Sequence, residues 1–210
     1  MSNIVNFTSN LPVTSLAAAL KQNVAQVASP GGMVIIKMDR TGHWVFGADQ
    51  TEVETGTRWA VNPYSFLHGY IAWGEGTVLA EKMSPMVEPL PEVDEPPSGA
   101  AKGWEMQVGV SLKCLDGEDA GMEARFTTTS MGGKRAVQEL AVKVAEQIEK
   151  DQDRPVAIVT LGRDHYQHKQ YGRIYTPVFN LDGWMSMTGE AEPEQIEQAS
   201  DQPKRRRPAA

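Results

Sequence analysis

The stretch Trp104–Cys114, WEMQVGVSLKC, decides the fold. Apolar side chains occupy every second position, and mostly polar ones stand between them, which is the period of a strand with one buried face. A turn-forming loop of residues 116–121 follows, and the alternation resumes in residues 122–127. The sequence therefore predicts two antiparallel strands joined by this loop.

A long helix is predicted after these strands. From Gly132-Gly133 onwards, apolar residues recur every three or four positions as far as Lys150, which is typical of a helix that packs by one face. The same patterns predict a short helix at Leu16–Val27. Further strands are predicted at Met33–Asp39, His43–Phe46 (after a Thr41-Gly42 turn), Tyr70–Leu79, Pro155–Leu161 and Arg173–Leu181, with Pro177 at an edge or bulge.

This order predicts an α+β domain that is mainly antiparallel, with the long helix packed on the sheet. Two arrangements fit it: a five-stranded, OB-like Greek-key β-barrel, or a sheet in a two-layer sandwich. No regular βαβ alternation is present, which argues against a Rossmann-type fold.

The 210 residues suit a single domain, residues 1–187, followed by a charged tail. Residues 84–103 hold five prolines and clustered acids, which predicts an exposed, extended loop within the domain. Residues 188–210 are polar, carry acids first, and end in Lys-Arg-Arg-Arg-Pro-Ala-Ala. We expect this tail to be disordered.

Charge and hydropathy exclude two classes of protein. The net charge of −7 argues against a uniformly basic nucleic-acid binder. No apolar run approaches the roughly 20 residues that span a bilayer. The segment Arg163–Tyr175 nevertheless carries a local charge of +2, since it holds three bases and one acid. A basic groove on an acidic protein is therefore compatible with the composition.

The segment Arg163–Trp184 interleaves cations with flat rings, so bases can stack on the rings while the cations contact phosphates. We expect residues 165–173 to form a loop before the last strand. Phosphate can also bind at the start of the long helix, where free N–H groups favour anions. The predicted nucleic-acid-binding residues are Lys134, Arg135, Arg163, Tyr166, Lys169, Tyr171, Arg173, Tyr175 and Phe179.

Each of these sites has a structural alternative. Residues on one face of a strand must pack inward, so some of the rings would fill the core. The Gly132-Gly133 pair would then be an ordinary strand-to-helix turn beside solvated cations.

Signs of catalysis are weak. His165 and His168 stand three residues apart, whereas a zinc site needs three or four ligands. No nucleophile motif such as G-x-S-x-G is present. We expect a protein without catalytic residues, metal or cofactor; a metal-dependent enzyme built around the two histidines is the more distant alternative.

Four segments resemble uncharacterised proteins encoded by phages and prophages: Gly69–Gly74, Gly103–Gly121, Ser130–Val137 and His168–Trp184. The resemblance covers most of residues 33–184 and neither terminus. Separately, the layout of barrel-like strands, one helix and a charged tail is similar to phage single-stranded-DNA-binding proteins of the OB-fold type. The tails of those proteins end in acidic residues with an aromatic tip, whereas this tail ends in basic residues.

These patterns together predict a single-stranded-DNA-binding protein that is an accessory to phage replication or recombination. The expected partners are single-stranded nucleic acid and, through the tail, replication or recombination proteins. Formation of a homo-oligomer is compatible with the sequence, and no binding to a membrane is expected. One cysteine and no signal-peptide pattern predict the cytoplasm, that of the host if a phage encodes the protein. The alternative is a phage structural, assembly or protein-interaction module that docks through residues 84–103.

Overall fold

The computed structural model describes residues 33–189, which form ten strands and one helix. The predicted helix Leu16–Val27 and all but the first two residues of the predicted tail lie outside the described residues. The elements are β1 (Val34–Met38), β2 (Trp44–Phe46), β3 (Thr51–Glu52), β4 (Arg58–Val61), β5 (Leu67–Gly74), β6 (Thr77–Pro85), β7 (Trp104–Cys114), β8 (Glu123–Thr128), α1 (Met131–Lys150), β9 (Val156–His168) and β10 (Gly172–Met185).

The strands form one mixed sheet that curls into a half-barrel. Its main path runs β10-β9-β4-β7-β8-β1-β2-β3, and the β5–β6 hairpin joins along the first half of β7. Pairing is antiparallel except between β1 and β8, which are parallel. The fold is mainly β with one long helix and is compatible with the predicted α+β class.

Strand β7 has the predicted bounds but is covered on both faces in its middle. Gln107 and Ser111, expected to face solvent, are buried. The Gln107 amide donates to the Glu81 carboxylate, and the Ser111 N–H donates to Ser65 Oγ at 2.9 Å. Side chains of β6 therefore cover Gln107, and the loop between β4 and β5 bonds the backbone of Ser111, which alternation alone does not reveal.

The core fills the inside of the half-barrel. Trp44, Phe126 and Phe179 come from three different strands, and their ring centroids lie 5.3–5.7 Å apart in tilted or edge-on contacts. Such aromatic contacts add about 0.5–1.5 kcal/mol per pair to the free energy of burial.

Helix α1 closes over this core by one face. Its buried apolar residues belong to the same cluster as the three rings, and the helix contacts β10 and β7. Ser130 caps it, since Ser130 Oγ accepts the Gly133 N–H at 3.1 Å. The buried residues are Gly133, Ala136, Val137, Leu140 and Val144.

No helix among residues 33–189 combines the length and the apolar character that crossing a membrane requires.

The last two strands form a hairpin much longer than predicted. Strands β9 and β10 pair from Val156 and Met185 up to His168 and Gly172, and a turn of residues 169–171 joins them. The predicted loop over residues 165–173 is therefore wrong, because strand pairing continues through this polar stretch. Pro177 lies on β10, an edge strand, where proline is tolerated.

Residues 86–103 form no strand or helix and run along the β5–β6 hairpin. Trp104 Nε1 donates to the Asp94 carbonyl at 2.9 Å, and Lys82 Nζ donates to the Glu92 carbonyl at 3.1 Å. The acidic residues of this segment are exposed to solvent: Glu88, Glu92, Asp94 and Glu95.

Candidate nucleic-acid interface

One cavity of about 720 Å³ lies between β10 and the β1–β2 turn, and we call it the hairpin groove. One wall is the end of β1 and its turn, another is β10, and the end of β8 with the helix cap lies between them. Its lining residues are Lys37, Met38, Asp39, Arg40, Phe126, Thr127, Thr128, Ser130, Tyr171, Arg173, Ile174, Tyr175 and Pro177.

Tyr171 stands at the rim of the groove and is 69% exposed. Its ring stacks on His168, with centroids 4.8 Å apart and planes 23° apart. His168 Nδ1 accepts the N–H groups of Gln170 and Tyr171 at 3.2 and 3.3 Å. The turn therefore fixes the Tyr171 backbone while one face of an exposed ring is left for a ligand.

Tyr175 lies deeper on the same face and is half-buried. The Arg163 guanidinium lies over its ring at 5.5 Å, and the His165 ring lies 5.9 Å away. Gly42 presses against the ring from the opposite wall: a Cβ at Gly42 would lie 2.6 Å from it. These contacts hold the Tyr175 ring in one place.

Arg163 connects the two walls of the groove. Its Nη1 donates to the Gly42 carbonyl at 3.2 Å, while its guanidinium covers Tyr175. Arg163 was predicted to contact phosphate, and its side chain is exposed. The bond to Gly42 also lets it hold the β1–β2 turn against the hairpin.

The Asp39 carboxylate organises the turn that carries Arg40. It accepts the Thr41 N–H, the Thr41 hydroxyl and the His43 N–H, each at 2.8 Å. These bonds, the His43 N–H first and the Thr41 hydroxyl next, hold the pKa of Asp39 below its usual value. The carboxylate is thus ionised and satisfied by its own turn.

The groove is locally basic. Lys37, Arg40 and Arg173 are exposed cations on its lining, and Asp39 is the one acid among the lining residues. Phosphate contacts at this rim would be compatible with the acidic charge of the whole chain.

Tyr166 does not belong to the groove. Successive strand residues point to opposite faces, and Tyr166 pairs with Ile174 whereas Tyr175 pairs with His165. Tyr166, 51% exposed, lines a separate cavity beside α1 that we call the helix-side cavity. Asp164, Arg135 and Glu139 share that cavity, so its charge is mixed.

The predicted phosphate site at the start of α1 is not part of the groove either. Lys134 is half-buried and lines neither cavity, and Arg135 forms a 2.7 Å ion pair with Glu139. Gly132 and Gly133 are explained by packing, since a Cβ on either would collide with Thr176 or Thr128.

Phe179 was predicted to stack on bases, but it is 6% exposed and belongs to the core with Trp44 and Phe126. It therefore anchors the hairpin and offers no surface to a ligand. Lys169 is exposed in the hairpin turn, beside the groove without lining it.

Sequence reasoning missed Lys37, Arg40 and Gly42. The Thr41-Gly42 turn was predicted, but Gly42 lies 121 residues from Arg163, so no local pattern shows that they meet.

The two histidines do not converge on a common site. His165 contacts Tyr175, whereas His168 stacks on Tyr171 and accepts bonds from the hairpin turn. Within residues 33–189, no group of three or more His, Cys, Asp or Glu side chains is placed to hold a metal ion. Burial raises the pKa of the Cys114 thiol, which donates to the Asp116 carbonyl at 3.0 Å and is a poor nucleophile in that state.

Comparisons with models of protein families, with curated proteins and with solved structures found no match to this chain. The chemistry of the hairpin groove is therefore the basis on which a function can be inferred.

Proposed function

We propose that this protein binds single-stranded DNA in the hairpin groove and catalyses no reaction there. The observation that carries the proposal is the meeting of an exposed tyrosine ring, Tyr171, and a half-buried one, Tyr175, with three exposed cations on one concave surface. Bases supply faces for the rings, and phosphates supply partners for Lys37, Arg40 and Arg173.

The geometry favours a single strand over a duplex. A ring can stack on a base only when the face of that base is free, whereas duplex bases are already stacked on each other. Each stacked base contributes about 1–3 kcal/mol, and the phosphate contacts add to this.

The OB-like character predicted for the fold is part of the same proposal. By OB-like we mean a curved sheet that presents rings and cations on one face of a strand, as OB-fold proteins do when they bind single strands. The resemblance to phage proteins supports a role as an accessory in replication or recombination.

Fluorescence anisotropy with a labelled oligo-dT at low salt tests the proposal. We expect Tyr171→Ala to weaken binding by about 1–3 kcal/mol, roughly 5- to 150-fold, because it removes an exposed stacking face. Tyr166→Ala is the matched control, since it removes an exposed tyrosine from the other face of the same hairpin. Unlabelled duplex should compete poorly.

No anisotropy change with the unaltered protein at low salt would rule the proposal out. Equal losses of affinity in the two tyrosine variants would show that the binding site is not the groove.

A second candidate, binding to another protein, is favoured by the tip of the β5–β6 hairpin. Trp73, Val78 and Leu79 are 39–49% exposed there, and in the described part of the chain β6 pairs only with β5. Such an edge can accept a further strand. Light scattering that shows a large assembly indifferent to added oligonucleotide would support this candidate over the first.

A further inference from the structure

We infer that the hairpin groove receives the end of a DNA strand and not a continuous stretch of it. This inference rests on the proposed function and specifies its substrate. It follows from the way in which the groove is closed.

The groove is bridged at its back. Arg163 Nη1 donates to the Gly42 carbonyl, which ties β9 to the β1–β2 turn. Directly beside that bond, the Tyr175 ring touches Gly42. A strand that entered between the walls would meet these contacts and could not pass between them without breaking both.

The surface beside the bridge carries carboxylates. Gly42 and Arg163 are among the residues that line a second cavity there, of about 240 Å³. Glu52 and Glu54 line it, and the Glu54 carboxylate accepts the Glu118 N–H. Two carboxylates beside the bridge disfavour a phosphodiester chain there, since like charges repel.

The rim of the groove is open and basic. Arg40 and Lys37 on one wall and Tyr171 and Arg173 on the other are exposed, whereas the floor residues Phe126 and Pro177 are buried. Cations at the mouth with a ring inside suit a strand whose last bases enter while its phosphates stay at the rim.

The size of the groove agrees with this arrangement. Its volume of about 720 Å³ lies within the ~300–1,000 Å³ of cavities that enclose a small-molecule ligand. It can therefore hold terminal nucleotides.

Competition between a linear oligo-dT and a covalently closed circle of the same sequence and length tests this inference on the full-length protein. We expect the linear form to compete at least tenfold more strongly. Equal competition by both forms would overturn the inference and leave the proposed function standing. Failure of both to bind would overturn the two together.

The bridge can be tested separately. Arg163→Met removes the hydrogen bond to Gly42, so the advantage of linear over circular DNA should fall several-fold. Lys143→Met, an exposed cation on α1 that lines none of the three cavities, is the control and should keep the full ratio. An unchanged ratio in Arg163→Met, with circular dichroism showing a folded protein, would overturn the role of the bridge.

Discussion

Gly42 shows how a single residue shapes the groove. Its φ of +86° belongs to the left-handed region, and its Cα lies against the Tyr175 ring. A side chain would therefore be unfavourable for two reasons, backbone strain and contact with the ring. Glycine at this position lets the turn close on Tyr175 and lets its carbonyl reach Arg163.

We predict that Gly42→Ala destabilises the protein and weakens DNA binding. Gly47→Ala is the matched control, because Gly47 also has positive φ, +70°, but open space where a Cβ would be. Backbone strain alone should lower the free energy of unfolding by about 1–2 kcal/mol in each variant. Urea denaturation should show a larger loss for Gly42→Ala, and only that variant should lose affinity.

At the scale of elements, the two ends of the β9–β10 hairpin lie in different environments. Phe179 anchors one part of it in the core, while Tyr171 at the tip is exposed. The hairpin thus connects the core to the rim of the groove. Because Phe179 anchors the hairpin in the core, the Tyr171 ring at the polar tip can keep a defined position.

We predict that Phe179→Ala lowers the free energy of unfolding by about 3–5 kcal/mol, since it leaves a cavity beside Trp44 and Phe126. Tyr171→Ala should change stability by less than about 0.5 kcal/mol, because the residue is exposed. Urea denaturation measures both. A stable Phe179→Ala protein that has lost only DNA binding would contradict the placement of Phe179 in the core.

A second link between elements joins β4 to the β7–β8 loop. The Asp116 carboxylate accepts the Arg58 N–H at 2.8 Å and Arg58 Nε at 2.7 Å. These two bonds, the backbone one first, hold the pKa of Asp116 below its usual value of 3.8. The link therefore stabilises the fold above the unfolded pKa and loses this effect as pH falls through the lower folded pKa.

We predict that Asp116→Asn lowers stability at neutral pH and that its difference from the unaltered protein shrinks below about pH 4. Thermal unfolding followed from pH 7 to pH 3 measures the difference. Asp182→Asn, an exposed aspartate of β10, is the control. A difference that stays constant over this range would show that the ion pair is not the cause.

The elements that could be predicted from the sequence are those whose hydrophobic pattern lies within one continuous segment. Strand β7 and helix α1 followed from alternation and helical spacing, since each buries a regular face. The outer part of β9 was missed because residues 162–168 are mostly polar and exposed; pairing with β10 makes them a strand. Tyr171, Arg173 and Tyr175 were predicted together and share the groove, whereas Lys37 and Arg40 reach it only through the curvature of the sheet.

At the scale of the whole molecule, a net charge of −7 surrounds a groove lined by three cations and one acid. Long-range attraction should therefore contribute little to binding, and a few contacts at the rim should decide the affinity. This differs from a protein that is basic over its entire surface.

We predict a salt dependence set by those contacts. Three phosphate contacts correspond to a slope of about −2 in log affinity against log salt concentration, at about 0.7 per contact for single strands. Arg173→Met should reduce the slope by about 0.7, whereas Arg163→Met and the control Lys143→Met should keep it. Anisotropy titrations at several salt concentrations measure the slopes, and a loss of slope in Arg163→Met would assign that residue to phosphate.

The distance in sequence between the two walls of the groove has a consequence for the order of folding. Chains are synthesised from the N-terminus at about 5–20 residues per second, and contacts between distant residues form late. The turn that carries Gly42 is made 121 residues before Arg163. Until β10 pairs with β9, a growing chain has one wall and no groove, so we expect the proposed binding to begin only after this domain is nearly complete.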